Sequence, residues 1–316
     1  MIVTVTANPS LDRTAPLSGP LRRGEVLRVG RASVVAAGKG VNISRALCHA
    51  GVETLAVVPA GAADPMLVGL EHDAIPHRAV AVAEPVRTNL TLTEPDGTTT
   101  KINAPGADLS ATEADALEAA VVEAATGARW VVLSGSLPPG LPTDWYARMV
   151  PRLHDLGVRV AVDTSDAPLA ALVEALPGAA PDLLKPNAAE LAQVGGGKAE
   201  DLEAAAARGD FAPVVAAARR LAGIGEVLVT LGGAGALLVT ADRAWFASVE
   251  PVAVRSTVGA GDSSLAGHLI ARCAGAGPAD CLASAVAWGT AAACLPGSTL
   301  PTPTQAAAVH PTVRSL

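Results

Sequence analysis

Aromatic residues are nearly missing from this chain, making up 2% of a sequence that is 50% hydrophobic. Single-stranded nucleic acid is gripped largely by stacking bases on aromatic rings, so a stacking platform is excluded. The core must be built from Val, Leu, Ile and Ala. Positive charge is also short. The formal net charge is −7, and no basic run follows a nucleic-acid backbone. Nucleic acid is therefore not an expected partner, and any phosphate site must be made cationic locally or built from backbone N–H groups. Cysteine is sparse: Cys48, Cys273, Cys281 and Cys294 form no C-x-x-C pair, which removes the usual zinc and thiol-redox spacings. They read as reduced thiols of a cytoplasmic protein. The longest uncharged apolar stretch, Cys281 to Leu295, is shorter than the ~20 residues of a membrane span and is interrupted by Ser284 and Gly289. It reads as a buried helix, and no membrane partner is expected. The opening MIVTVTANPSLDRT has no basic n-region, so a signal peptide is not expected. There is no G-x-S-x-G elbow for serine hydrolysis, and the six histidines lack metal-ligand spacing.

What is present is an alternation of short β-branched runs with Ala-rich helical stretches. Candidate strands start at Ile2, Thr54, Trp130, Val158, Asp182 and Glu226. Most are apolar throughout, as strands covered on both faces of a parallel sheet are. Ser110 with Glu113 has capping-box spacing for a helix through Glu123, and Pro142 and Pro213 suit first turns of helices. The expectation is one α/β domain over residues 1–316, a three-layer αβα sandwich with ligands at the C-terminal ends of a mostly parallel sheet. Two stretches break the rhythm. Val26–Ala36 has strand propensity without a following helix, and Val86–Ile102 reads as a hairpin turning at Pro95-Asp96-Gly97. They predict a small β lid from about residues 12–37 and 85–106.

The strongest motif is Thr257-Val258-Gly259-Ala260-Gly261-Asp262-Ser263 before an apolar helical stretch. Glycines let the backbone approach a ligand closely, and a helix start directs free N–H groups at an anion. Asp262 is placed to take a proton from an incoming hydroxyl, or serves only as a helix N-cap. Lys185-Pro186-Asn187-Ala188-Ala189-Glu190 offers a lysine for phosphate, an amide for polar ligand atoms, and a carboxylate for a water of Mg2+. Asn187 and Glu190 also have the spacing of a capping pair. Gly38-Lys39-Gly40-Val41-Asn42 opens a helix with a point charge, or is a Gly-rich turn with a solvated lysine. It is not a Walker motif, because Ser33 and Gly40 stand where Gly and Ser or Thr are needed. Gly232-Gly233-Ala234-Gly235 after a strand is a nucleotide cradle or a simple β-turn. Asp12, Arg87 and Ser136 are lesser candidates for sugar hydroxyls or phosphate, with turn-capping or solvated roles as alternatives.

Together the motifs resemble the ribokinase-like (PfkB) carbohydrate kinases. The matching pieces are NPSLD at 8–12, AGKGVN at 37–42, SGSLPPG at 134–140, KPNAAEL at 185–191, VTLGGAGAL at 229–237 and STVGAGDS at 256–263, in the family's order. The opening VTANPSLDRT, with VRTNLTL and TKINAPG, is similar to the hexose-phosphate branch, and within it to kinases that convert fructose 1-phosphate to fructose 1,6-bisphosphate. Kinases of tagatose 6-phosphate and fructose 6-phosphate share these motifs, and a non-catalytic sugar-phosphate sensor is the remote alternative. The resemblance implies that Asp262 is the catalytic base and that Gly259, Ala260 and Gly261 form the anion hole. It implies that Lys185, Asn187, Thr230, Gly232, Gly235 and Ser256 line the ATP site, and that Glu190 helps organise Mg2+. Asp12, Gly38, Lys39, Asn42, Arg87, Asn89 and Ser136 would face the sugar phosphate. A homodimer through the β lid is implied as well. Two positions depart from the family: Ala37 stands where a second glycine is common, and Thr91 where a lysine usually follows the lid strand.

Overall fold

The computed structural model describes every residue, Met1–Leu316. The chain begins with strands β1 (Ile2–Thr6), β2 (Ser10–Pro16) and β3 (Ser33–Ala37), then helix α1 (Lys39–His49), β4 (Thr54–Pro59), α2 (Pro65–His72), β5 (His77–Val80), β6 (Arg87–Thr93) and β7 (Thr99–Ile102). It continues through α3 (Ala111–Ala125), β8 (Trp130–Ser134), α4 (Trp145–His154), β9 (Arg159–Asp163), α5 (Asp166–Glu174), β10 (Leu183–Leu184), α6 (Ala188–Gly195), α7 (Ala199–Ala207) and α8 (Ala212–Arg219). The last part runs β11 (Glu226–Thr230), β12 (Ala236–Val239), β13 (Ala244–Ser248), α9 (Ala260–Cys273), α10 (Pro278–Ala293), α11 (Pro303–Ala307) and β14 (Thr312–Ser315).

Ten strands form the central sheet in the order β14-β13-β12-β11-β10-β9-β8-β1-β4-β5. From β11 to β5 every pairing is parallel, while β12, β13 and β14 add an antiparallel edge. The apolar runs are explained by burial on both faces. Val3, Val5, Val131 and Leu133 join the core that includes residues of α3, α4 and α8. Their neighbours Ile2, Trp130 and Val132 join the opposite core, with residues of α1, α9 and α10. The stretch from Cys281 lies in α10, buried among the latter. All four cysteines are free thiols, and no helix is long and apolar enough to cross a membrane.

A separate four-stranded sheet has the order β3-β2-β6-β7. Its hairpin closes at the expected turn: Asp96 accepts from the Thr98 N–H at 2.9 Å, and Gly97 takes a φ of 91°. On one face, Leu11 and Ala36 pack with Met66 and Leu70 of α2. The other face carries Asp12 and Asn89, cross-strand partners joined side chain to side chain at 3.0 Å.

The expected strand over Val26–Ala36 is corrected: only Ser33–Ala37 is a strand, and Leu17 meets Val29 in an isolated bridge. Val26 is 90% exposed, so its β-branched side chain has no packing to favour extension. Pro142 lies in the turn before α4, where its carbonyl accepts from the Trp145 N–H at 3.0 Å. Pro213 does lie in the first turn of α8, and Ser110 with Glu113 forms the capping box of α3.

Candidate functional site

Gly259 is the N-cap of α9, with a left-handed φ of 76°. That conformation is costly for any residue with a Cβ, and it turns the chain so that the first-turn N–H groups of α9 open toward a cavity. Those of Gly261 and Asp262 have no acceptor within the chain. A helix start with free donors carries partial positive charge. At Gly261 a Cβ would lie 3.4 Å from Lys185 Nζ, so the missing side chain leaves the lysine room beside the helix.

Two lysines from different motifs meet on one carboxylate. Asp163, at the C-terminal end of β9, has a fully buried side chain. Its Oδ1 lies 2.8 Å from Lys39 Nζ, and its Oδ2 lies 3.2 Å from Lys185 Nζ. Burial disfavours the Asp163 charge, but Lys185 and Lys39 outweigh it and hold the carboxyl below the usual carboxylate range. Burial likewise opposes the charge on Lys39. Asp163 and Asp262 beside it prevail, and the ammonium is held above the ordinary lysine value. Two ammonium groups thus share one buried carboxylate next to the free donors of α9.

Asp262 completes this group. It is 7% exposed, and its Oδ2 accepts from Asn42 Nδ2 at 2.8 Å. Burial pushes its carboxyl above the usual range, and Asp163 adds to the shift. Lys39, the Asn42 amide and Lys185 pull against it. A raised pKa brings a carboxylate closer to the value at which general bases work best.

A cavity of about 860 Å³ opens from this corner. Lys39, Lys185, Asn187, Thr230, Gly232, Gly235, Gly259, Ala260, Gly261 and Asp262 all line it, alongside the apolar Val249, Val252 and Val286. Its size and apolar wall suit a small organic ligand. Ser256 does not line it. Its hydroxyl accepts from the Val258 N–H at 3.2 Å, and the lining residue is the neighbouring Thr257. Glu190 is not on the wall either. Asn187 and Glu190 form the capping box of α6, with bonds of 2.9 and 2.8 Å. The capping alternative is therefore realised, while Asn187 still borders the cavity.

Asp12, Arg87, Asn89 and Ser136 form a second group outside the cavity lining. Asp12 Oδ1 accepts from Ser10 and from Asn89. Arg87 donates to the carbonyls of Ala104 and Asn8 at 2.9 and 3.1 Å and approaches the Ser136 hydroxyl at 3.4 Å. Its Nε and the Asn89 Oδ1 are buried without partners, a costly state unless a ligand meets them. Gly38, with a φ of 128°, turns the chain from β3 into α1, whose Lys39 bonds Asp163 and whose Asn42 bonds Asp262.

Asp163 carries the largest electrostatic role that the motifs did not reveal. Its only signal was an acid closing an otherwise apolar strand at the C-terminal edge, where ligands bind in open α/β sheets. Asn8 is the other. Its amide bridges Pro105, Ser136 and Leu137 and so joins three loops.

A profile of the pfkB family of carbohydrate kinases matches residues 5–305. The chain is 37% identical over 270 residues to a 1-phosphofructokinase of Xanthomonas campestris pv. campestris, covering 84% of this chain and 82% of that one. It is 34% identical to a 1-phosphofructokinase of Rhodobacter capsulatus, covering 99% and 96%. Among solved structures, the phosphofructokinase-2 from Escherichia coli in complex with substrates and products superposes with a TM-score of 0.85. There the identity is 29%, covering 98% of this chain and 97% of that one.

Proposed function

Because the chain belongs to the pfkB family of carbohydrate kinases, ATP-dependent enzymes that phosphorylate sugars, we propose that it phosphorylates fructose 1-phosphate to fructose 1,6-bisphosphate with Asp262 as base. The observation that carries this reading is the Asp262 carboxylate, buried at the donor-rich start of α9 and facing Lys39 and Lys185. The relatives named 1-phosphofructokinase support the choice of acceptor.

ATP takes the cavity, with Thr230, Gly232 and Gly235 around the nucleotide and Lys185 and Asn187 toward its phosphates. The acceptor lies under the small sheet, which acts as the lid of one kinase domain. Asp12 and Asn89 receive its hydroxyls, and its existing phosphate meets Lys39 and the unpartnered Nε of Arg87. Asp262 takes the proton from the free primary hydroxyl. That oxygen bonds to the γ-phosphorus in line, the bond from phosphorus to the β,γ-bridging oxygen breaks, and ADP leaves. The free N–H groups at Gly261 and Asp262 receive the charge spread over the transferring group. No group of three or more His, Cys, Asp or Glu is placed to chelate a metal. This suits Mg2+, which keeps most of its waters and is held largely by substrate phosphates. Glu190, which keeps one oxygen outside its capping bond, would hold it through water, and the ion would neutralise phosphate charge.

The outer face of the lid carries the cross-strand row Val34, Arg13, Leu90 and Ile102, in which Val34 is 58% and Ile102 56% exposed. A second copy of the chain covers this row in a homodimer.

The test is Asp262→Asn against a panel of fructose 1-phosphate, fructose 6-phosphate, tagatose 6-phosphate, fructose and ribose. The variant is expected to lose about 10²- to 10⁴-fold in kcat, and near-normal turnover would sink the assignment of the base. For the unmodified enzyme, fructose 1-phosphate is expected to lead in kcat/KM by about tenfold, or 1.4 kcal/mol. Another phosphorylated hexose in the lead would move the acceptor and leave the mechanism standing.

A further inference from the structure

Behind the Asp262 carboxylate lies a chain of hydrogen bonds that the phosphoryl transfer itself does not use. Asn42 Nδ2 donates to Asp262 Oδ2 at 2.8 Å, and Asn42 Oδ1 accepts from Arg45 Nη1 at 3.2 Å. Arg45 is 8% exposed. Its Nε and Nη2 both donate to Asp73 Oδ2, at 3.1 and 2.9 Å, and Nη2 also donates to the Ala36 carbonyl at 2.6 Å. We propose that Arg45 is a positioning residue for the reaction: its guanidinium fixes which way the Asn42 carboxamide points, and the carboxamide fixes the Asp262 carboxylate. The inference rests on the reading of Asp262 as base.

A carboxamide has nearly the same shape after a half turn, so its neighbours decide its orientation. A guanidinium only donates and a carboxylate only accepts. With Arg45 on one side and Asp262 on the other, only one orientation satisfies both. The reverse would set two donors against each other and two acceptors against each other. Asn42 and Arg45 stand three residues apart on α1, so one face of one helix presents both groups. The Asn42 bond occupies Asp262 Oδ2 and leaves Oδ1 without a partner in the chain, as the oxygen that takes the substrate proton. Arg45 is itself immobilised at both ends. Asp73 follows α2, and Ala36 belongs to β3, two residues before the turn at Gly38. The same guanidinium thus ties the orientation of the base to the strand that leads into Lys39.

Asp262 is faced by Lys39 and Asn42 from α1, by Asp163 at the end of β9, and by Lys185 just after β10. Of these only the Asn42 contact depends on Arg45. In Arg45→Met the carboxamide is released, and the carboxylate loses a donor that favours its charged form. The expected result is a kcat lower by about tenfold to a hundredfold, the scale of a misplaced reacting group. KM for ATP stays unchanged, and the acidic limb of the kcat–pH profile moves to higher pH. Asn42→Ala should give the same shift, and adding Arg45→Met to it should change little more, because the two act as one unit. Arg45→Lys keeps a cation beside Asp73 should the Met variant not fold. Its single ammonium cannot span Asp73 and Asn42, so the limb should move in this variant too. A wild-type kcat and acidic limb in a folded Arg45 variant, with only thermal stability reduced, overturns the proposal while leaving the base in place. Near-normal turnover by Asp262→Asn removes the base and this inference with it.

Discussion

Asp163→Asn keeps the shape of the side chain and removes its charge, leaving Lys39 and Lys185 around a neutral amide. Lys185 is 3% exposed, so its ammonium cannot regain water without movement. Breaking a buried pair from one side costs about 3–5 kcal/mol, and the variant should show a correspondingly lower midpoint in urea unfolding. The pH dependence has a definite sign. The lysines hold the Asp163 carboxyl below its ordinary value despite burial. Its stabilisation is therefore complete above the unfolded pKa of about 3.9 and is lost as pH falls through the lower folded value. Unfolding free energies measured below about pH 4 should fall less steeply for Asp163→Asn than for the unmodified protein. Equal slopes would mean that the bridge is not formed in solution.

At the scale of elements, the turn between β11 and β12 separates two kinds of glycine. Gly235 has a φ of 112°, and a Cβ there would run into the carbonyl oxygen of Ala247 in β13. Gly232, with a φ of 55°, faces open space. Gly235→Ala should therefore cost more than the 1–3 kcal/mol or so of a strained backbone alone, and it should raise KM for ATP because the turn lines the cavity. Gly232→Ala should cost only about 1–2 kcal/mol. Thermal melts with ATP titrations check both, and equal losses would show that the close approach of β13 is relieved in solution. The helix start at Gly259 follows the same logic, since a left-handed cap directs the first turn of α9 at the cavity.

For the whole molecule, the outer face of the small sheet is where the proposed dimer is tested. Ile102→Glu places a charge in the row that includes Val34 and Leu90. If two copies meet there, light scattering should show the variant at half the mass of the unmodified protein. A monomeric unmodified chain at micromolar concentration would remove the dimer. The architecture itself was legible at this scale. Apolar runs at β1, β4, β8, β9 and β11 announce strands buried on both faces, and the hairpin announced itself by its turn chemistry. The edge strands β12 to β14 and the short β5 were not legible, because they are brief and their sequences carry no distinctive period. The segment before Ser33 forms no strand because strand propensity reflects packing against neighbours, and the exposed Val26 has none.

Local chemistry determined much of this protein from the sequence alone. Glycines mark the backbone turns at Gly38 and Gly259, a capping pair starts a helix at Ser110, and apolar runs build a two-sided core. These follow from residues within a few positions of one another. What only the tertiary structure decided is which distant groups share a charge. Lys39, Asp163 and Lys185 lie on separate elements, and neighbouring strands of the sheet bring two of them together. Asn187 and Glu190 had one spacing and two uses, and folding assigned their mutual bonds to capping α6. The Asn42 amide likewise donates to Asp262, 220 positions further along the chain. Pairings at that separation leave no periodic trace in the chain, because the sheet order, not the local sequence, sets the distance between them.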